Sequence, residues 1–108
     1  MLDGFFKKHF PIEILYTFLD KFCIKKGNYV MFDYNSFRIM LYHDYNDEFI
    51  ELLKEYYYPS KQFYLTRPLT FNSFVTIIRQ LCKINNVDFE SKILYQHSIY
   101  NIEYYIRS

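Results

Sequence analysis

Residues 70–107 read TFNSFVTIIRQLCKINNVDFESKILYQHSIYNIEYYIR, and the period of their apolar positions changes partway. At about 100° per residue, Phe71, Phe74, Val75, Ile78, Leu81 and Cys82 share one side of a helix over 70–85, with Ile77 and Ile84 on a flank. Asn72, Ser73, Thr76, Arg79, Gln80 and Lys83 fill a separate polar arc, and Thr70 suits the N-cap. Beyond Asn86 the period drops to two. Val87, Phe89, Ser91, Ile93 and Tyr95 alternate with Asp88, Glu90, Lys92, Leu94 and Gln96. After a turn near His97-Ser98, Ile102, Tyr104 and Ile106 alternate with Asn101, Glu103, Tyr105 and Arg107. Each strand has one apolar face, so a β-hairpin follows the helix directly and can cover the core beside it.

Upstream, Pro11 suits a first helical turn. From there to about Lys25, Ile12, Leu15, Tyr16, Leu19, Phe22 and Cys23 recur at helical spacing, and Gly27 reads as a stop. Asn28–Asp33 (NYVMFD) is a short strand. Asp33 or Asn35 caps a helix to about His43, with Phe37, Met40 and Leu41 inward. Asn46 or Asp47 caps another, with Phe49, Ile50, Leu52 and Leu53 as its apolar face. Lys61–Thr66 (KQFYLT) reads as a further strand. The expectation is an α+β domain over residues 1–108, with about four helices and a small antiparallel sheet. Residues 1–58 form a helical N-terminal part and residues 61–108 a strand–helix–hairpin unit. A helix followed at once by a hairpin is how a winged-helix domain ends, with recognition helix and then wing, so the expected architecture is winged-helix-like.

Composition bounds the function classes. The 108 residues are 51% hydrophobic, which excludes general disorder. The apolar runs are far shorter than the roughly 18–20 residues that span a bilayer, and the N-terminus lacks the pattern of a signal peptide, so no membrane or secretory role is expected. Cys23 and Cys82 fall on apolar helical positions and read as reduced core residues of an intracellular protein. Tyr, Phe, Ile, Asn and Lys are abundant and Ala and Trp absent, a bias that AT-rich codons explain before any stacking role does. The net charge of +1 is uneven: residues 1–60 carry seven Lys/Arg and nine Asp/Glu, and residues 61–108 carry six and three. The positive part coincides with the helix–hairpin unit.

No catalytic motif, metal-ligand spacing or phosphate loop stands out, so a non-enzymatic chain without cofactor or metal is expected. Asp88, Glu90 and Lys92 give a D-x-E-x-K string. Glu-x-Lys on a strand occurs in one class of metal-dependent nucleases, but three alternating residues are also the ordinary solvent side of a hairpin. His9, His43 and His97 are scattered. The Tyr56-Tyr57-Tyr58 run is expected to close over the edge of the core. What remains is the polar arc of the 70–85 helix. Arg can pair with guanine in the major groove, Asn or Gln with adenine, and Lys with phosphate. The candidate contacts are therefore Arg79 and Gln80, with Asn72 and Thr76, for base edges, and Lys83, Lys92, Lys61 and Arg67 for phosphates. The same arc also suits an ordinary solvated face. The hairpin tip, Gln96-His97-Ser98, offers no Lys or Arg for a phosphate grip.

Two resemblances bear on this unit. The segment NSFVTIIRQLCKINNVDF resembles the recognition helix of the heat-shock-factor DNA-binding domain, where Ser-Phe-Val runs directly into Arg-Gln-Leu. Here Thr76-Ile77-Ile78 separates Ser73-Phe74-Val75 from Arg79-Gln80-Leu81. The resemblance implies Arg79 as the base reader. More widely, FLDKFC…KQFYL…LTFNSFVTIIRQLCKINN…SKILY…SIYNIEYYI is similar to a family of small proteins of giant (nucleocytoplasmic large) DNA viruses. That likeness implies residence in the host cytoplasm, at viral factories, or in the virion. The likeness implies origin and not chemistry. With the polar arc of the 70–85 helix, the expected function is a double-stranded-DNA-binding or transcription-associated protein, and the alternative is a structural virion or assembly component that binds viral proteins or its own copies.

Overall fold

The computed structural model describes residues 6–59, 65, 68–94 and 101–108. Among these residues, four helices and a four-stranded antiparallel sheet follow the chain order α1 (Ile12–Leu19), β1 (Ile24–Lys26), β2 (Tyr29–Phe32), α2 (Tyr34–Tyr42), α3 (Tyr45–Lys54), α4 (Phe71–Ile84), β3 (Phe89–Ile93) and β4 (Ile102–Arg107). The strands lie in the order β1-β2-β4-β3. The α+β class, the helix number and the C-terminal hairpin are as the sequence leads one to expect. The alternation in residues 87–107 translates directly into pairing, with Phe89 opposite Ile106, Ser91 opposite Tyr104 and Ile93 opposite Ile102.

The N-terminal helix ends at Leu19, a turn and a half before the expected stop near Lys25. Residues 24–26 pair instead with residues 29–31. The glycine read as a helix stop is the turn of that hairpin. Gly27 has φ +60°, which a residue without Cβ adopts at little cost. Helical periodicity through Cys23 is real, but the ladder offered by β2 takes the last residues.

Asp33 caps α2 as expected. Its carboxylate accepts from the Ser36 N–H at 3.0 Å, and Ser36 Oγ accepts from the Asp33 N–H at 3.3 Å, a reciprocal capping box. Neither Asn46 nor Asp47 caps α3. The N-cap is Asp44, in the left-handed region at φ 59° without a side-chain cap. Asn46 is buried, and its Oδ1 accepts from the Leu69 N–H at 2.9 Å. It thus ties α3 to the chain entering α4. The strand expected over Lys61–Thr66 and the hairpin turn near His97-Ser98 lie outside the described residues, except for Leu65, which is buried.

Thr70 caps α4, accepting from the Ser73 N–H at 3.1 Å. The apolar side of α4 lies at the centre of an aromatic core. The Phe74 ring has the rings of Phe32, Phe37 and Phe49 all at 5.4 Å and Phe22 at 6.2 Å. Such pairs add to the burial of the rings themselves. Val30, Phe32, Tyr104 and Ile106 carry this core onto the inner face of the sheet. Tyr56 and Tyr57 are buried against Phe10 and Phe6, closing the core edge as expected, while Tyr58 stays exposed. Among the described residues no helix is long and apolar enough to cross a membrane.

Candidate nucleic-acid interface

Helix α4 buries Phe71, Phe74, Val75, Ile77, Ile78, Leu81 and Cys82. The opposite side is therefore left to solvent. Asn72, Thr76, Arg79 and Lys83 are all exposed. Their spacing of four, three and four residues keeps them within roughly 60° of one another, in a straight stripe roughly 16 Å long. No helix packs over this stripe among the described residues, so the sequence expectation of one open polar row holds for these positions.

Gln80 differs. It lies well to one side of the stripe and is only half-exposed. The Tyr57 hydroxyl donates to its Oε1 at 3.2 Å. Gln80 thereby fastens α4 to the chain just beyond α3. Arg79 sits at the other border of the stripe. Its guanidinium lies over the Phe89 ring at 5.2 Å, so the first residue of β3 shelves the cation. Stacking uses the flat face of the guanidinium and leaves its rim of N–H donors for other partners. The same cation partly offsets the effect of burial on the Tyr104 hydroxyl, whose pKa is nevertheless raised.

Lys92 is on the other side of the sheet. Phe89, Ser91 and Ile93 share the inner face with Tyr104 and Ile106, which turns Glu90 and Lys92 outward with Glu103, Tyr105 and Arg107. Lys92 stands opposite Glu103. The structure therefore brings Asn72, Thr76, Arg79 and Lys83 together, sets Gln80 beside them in an internal contact, and places Lys92 apart. Lys61 and Arg67 lie outside the described residues.

On the outer sheet face the Arg107 guanidinium lies 5.5 Å above the Tyr29 ring, and Tyr29 meets Tyr105 edge-on at 6.2 Å. The Tyr105 hydroxyl donates to Glu103 at 2.8 Å, which raises its pKa. Asp88, Glu90 and Lys92 are exposed along the hairpin. Among the described residues no three His, Cys, Asp or Glu side chains are placed to hold a metal.

A feature that the sequence did not lead one to expect lies between α1 and α3. An open cleft of about 540 Å³ is lined by Glu13, Glu48, Glu51 and Glu55 with Lys21. Lys21 pairs with Glu48, and its ammonium lies over the rings of Phe18 and Tyr45 at 5.5 and 5.2 Å. The recurrence of Glu48, Glu51 and Glu55 along one side of α3 is the signal for it in the sequence. The surface is thus acidic along α3, with Glu13 of α1 beside it, and cationic along α4 at Arg79 and Lys83. No protein-family model matches this chain, and no match is found among the curated proteins or the solved structures.

Proposed function

We propose that the chain is a non-enzymatic double-stranded-DNA-binding protein of winged-helix type in which α4 is the recognition helix. The observation that carries the reading is the open stripe Asn72, Thr76, Arg79 and Lys83, on a helix fixed by its opposite side in an aromatic core. The order of elements supports it as well. In a winged helix the strand before the helical pair lies beside the last strand of the wing, and here β2 pairs with β4, which pairs with β3.

A major groove about 12 Å wide admits a helix. A stripe of roughly 16 Å covers about five base pairs. In that pose Arg79 meets the guanine edge, Asn72 the adenine edge, the Thr76 methyl a thymine methyl, and Lys83 a phosphate. Gln80 orients the helix through Tyr57 and leaves the base edges to its neighbours. In this reading the protein is transcription-associated, and the resemblance to small proteins of large DNA viruses suggests an origin for it rather than a chemistry.

A second reading, a virion or assembly component, is favoured by Ile93 and Leu94, which are 62% and 48% exposed. Binding to a mixed-sequence duplex across a salt series separates the two. The DNA reading expects affinity that falls steeply with salt. Lys83→Ala removes one phosphate neutralisation, so its slope should be shallower by about 0.9. Arg79→Ala should weaken binding to the preferred sequence by roughly 1–3 kcal/mol. Absence of binding at low salt would overturn it.

A further inference from the structure

Strand β3 is the last in the sheet order, and among the described residues nothing pairs with its outer edge. Two hydrogen bonds fix which of its backbone groups face that edge. The Leu94 N–H donates to the Asn101 carbonyl at 2.8 Å, and the Arg107 N–H donates to the Asp88 carbonyl at 3.0 Å. Hydrogen-bonded pairs alternate along an antiparallel ladder. With residues 88 and 94 bonded to β4, Glu90 and Lys92 turn their backbone groups the same way. Phe89, Ser91 and Ile93 therefore aim their N–H and C=O groups outward.

We propose that this edge pairs with the same edge of a second copy of the chain, antiparallel, about a two-fold axis at Ser91. In that register Ser91 faces Ser91 and Phe89 faces Ile93 of the second copy, all through outward-turned backbone groups that exchange both hydrogen bonds. Glu90 and Lys92 face each other across the axis, twice per dimer, at the closely spaced non-hydrogen-bonded positions. Ile93, 62% exposed in one chain, gains an apolar neighbour on the core side of the sheet. The two sheets join into one.

The other two-fold registers are each disfavoured by charge or packing. An axis at Glu90 also gains two opposite-charge pairs, Lys92 with Asp88, but sets Glu90 against Glu90 at its centre, whereas the Ser91 axis has two such pairs and no like pair. An axis at Lys92 sets Lys92 against Lys92. An axis at Phe89 sets Asp88 against Glu90, and one at Ile93 sets Lys92 against Leu94. Like charges directly opposite are destabilising and opposite charges stabilising. An exposed edge is ordinarily guarded by charge against unwanted pairing. The alternation of one acid and one base about a central serine guards it against most strands while complementing its own copy.

Sedimentation equilibrium of the full chain tests this. The wild type is expected to approach twice the 13.5 kDa monomer mass as concentration rises. Glu90→Lys and Lys92→Glu each convert both ion pairs into repulsions and should weaken association about tenfold or more. The double swap should restore it. Ser91→Pro removes an outward N–H that β4 does not use, a position an edge strand tolerates, and should be monomeric. Circular dichroism reports that each variant is folded. A wild type that stays at monomer mass overturns the proposal. So does a dimer that both single reversals leave intact, because its interface then lies elsewhere.

Discussion

Asn46 gives the sharpest test of how α4 is positioned. Its Oδ1 accepts from the Leu69 N–H at 2.9 Å, Asn46 is 7% exposed and Leu69 is 2% exposed. Asn46→Ala leaves that N–H buried without its partner, which costs about 1–3 kcal/mol. A chain of 108 residues has an unfolding entropy of about 2.1 cal/mol/K per residue, so the loss corresponds to a Tm drop of roughly 4–13 °C. Asn46→Ser separates this role from helix capping. A cap accepts serine as readily as asparagine, whereas a hydroxyl one bond shorter does not span to Leu69. The serine variant should therefore lose nearly as much as the alanine variant in thermal unfolding. Native-state hydrogen exchange gives the local readout. The Leu69 amide should be protected in the wild type and should exchange much faster in both variants. If Asn46→Ser keeps wild-type stability, or if the Leu69 amide stays protected in Asn46→Ala, the assignment of Asn46 as the tie between α3 and α4 is refuted.

Phe74→Ala removes the ring around which Phe22, Phe32, Phe37 and Phe49 gather, and should cost about 3–5 kcal/mol in urea unfolding. Gly27→Ala meets no neighbour within 4 Å but sits at φ +60°, so a loss of about 1–2 kcal/mol from backbone strain alone is expected, with an unchanged denaturant slope. The Cys82 thiol is pushed up to about 12 by burial. It should resist alkylation at mildly alkaline pH in the folded protein and react on unfolding. Because its folded pKa lies above the unfolded value, the stability it contributes is present below about pH 9 and is lost as pH rises toward about 12. Cys82→Ala should flatten that part of the stability profile, measured by urea unfolding at stepped pH.

Residues 70–107 are the most legible part of the chain because two strong periods meet there without interruption. The apolar positions of α4 and the strand alternation map directly onto burial and pairing. Local rules fail where a distant partner decides the outcome. The helix expected to reach about Lys25 yields to β2 at residues 24–26, and Gly27 turns a hairpin instead of ending a helix. Asn46 has the chemistry of a cap but spends it on a backbone N–H 23 residues away. For the interface, helical spacing is sufficient to place Asn72, Thr76, Arg79 and Lys83 in one row. It is insufficient for Gln80, whose partner Tyr57 comes from another element. Charge alone groups Lys92 with the stripe, and only the strand register reveals that it faces away from α4. The acidic cleft is only partly visible in the sequence: Glu48, Glu51 and Glu55 recur along α3, but the cleft forms where α1 and α3 meet, and Glu13 is far from the rest along the chain.

The proposed function requires that the open stripe of α4 meet duplex DNA. Amide and side-chain NMR shifts of the labelled protein, followed during titration with a short duplex at low salt, test it most directly. The largest changes are expected at Asn72, Thr76, Arg79 and Lys83, with the α1–α3 cleft and the outer sheet face unaffected. No change on α4, or changes confined to either of those other surfaces, would contradict it.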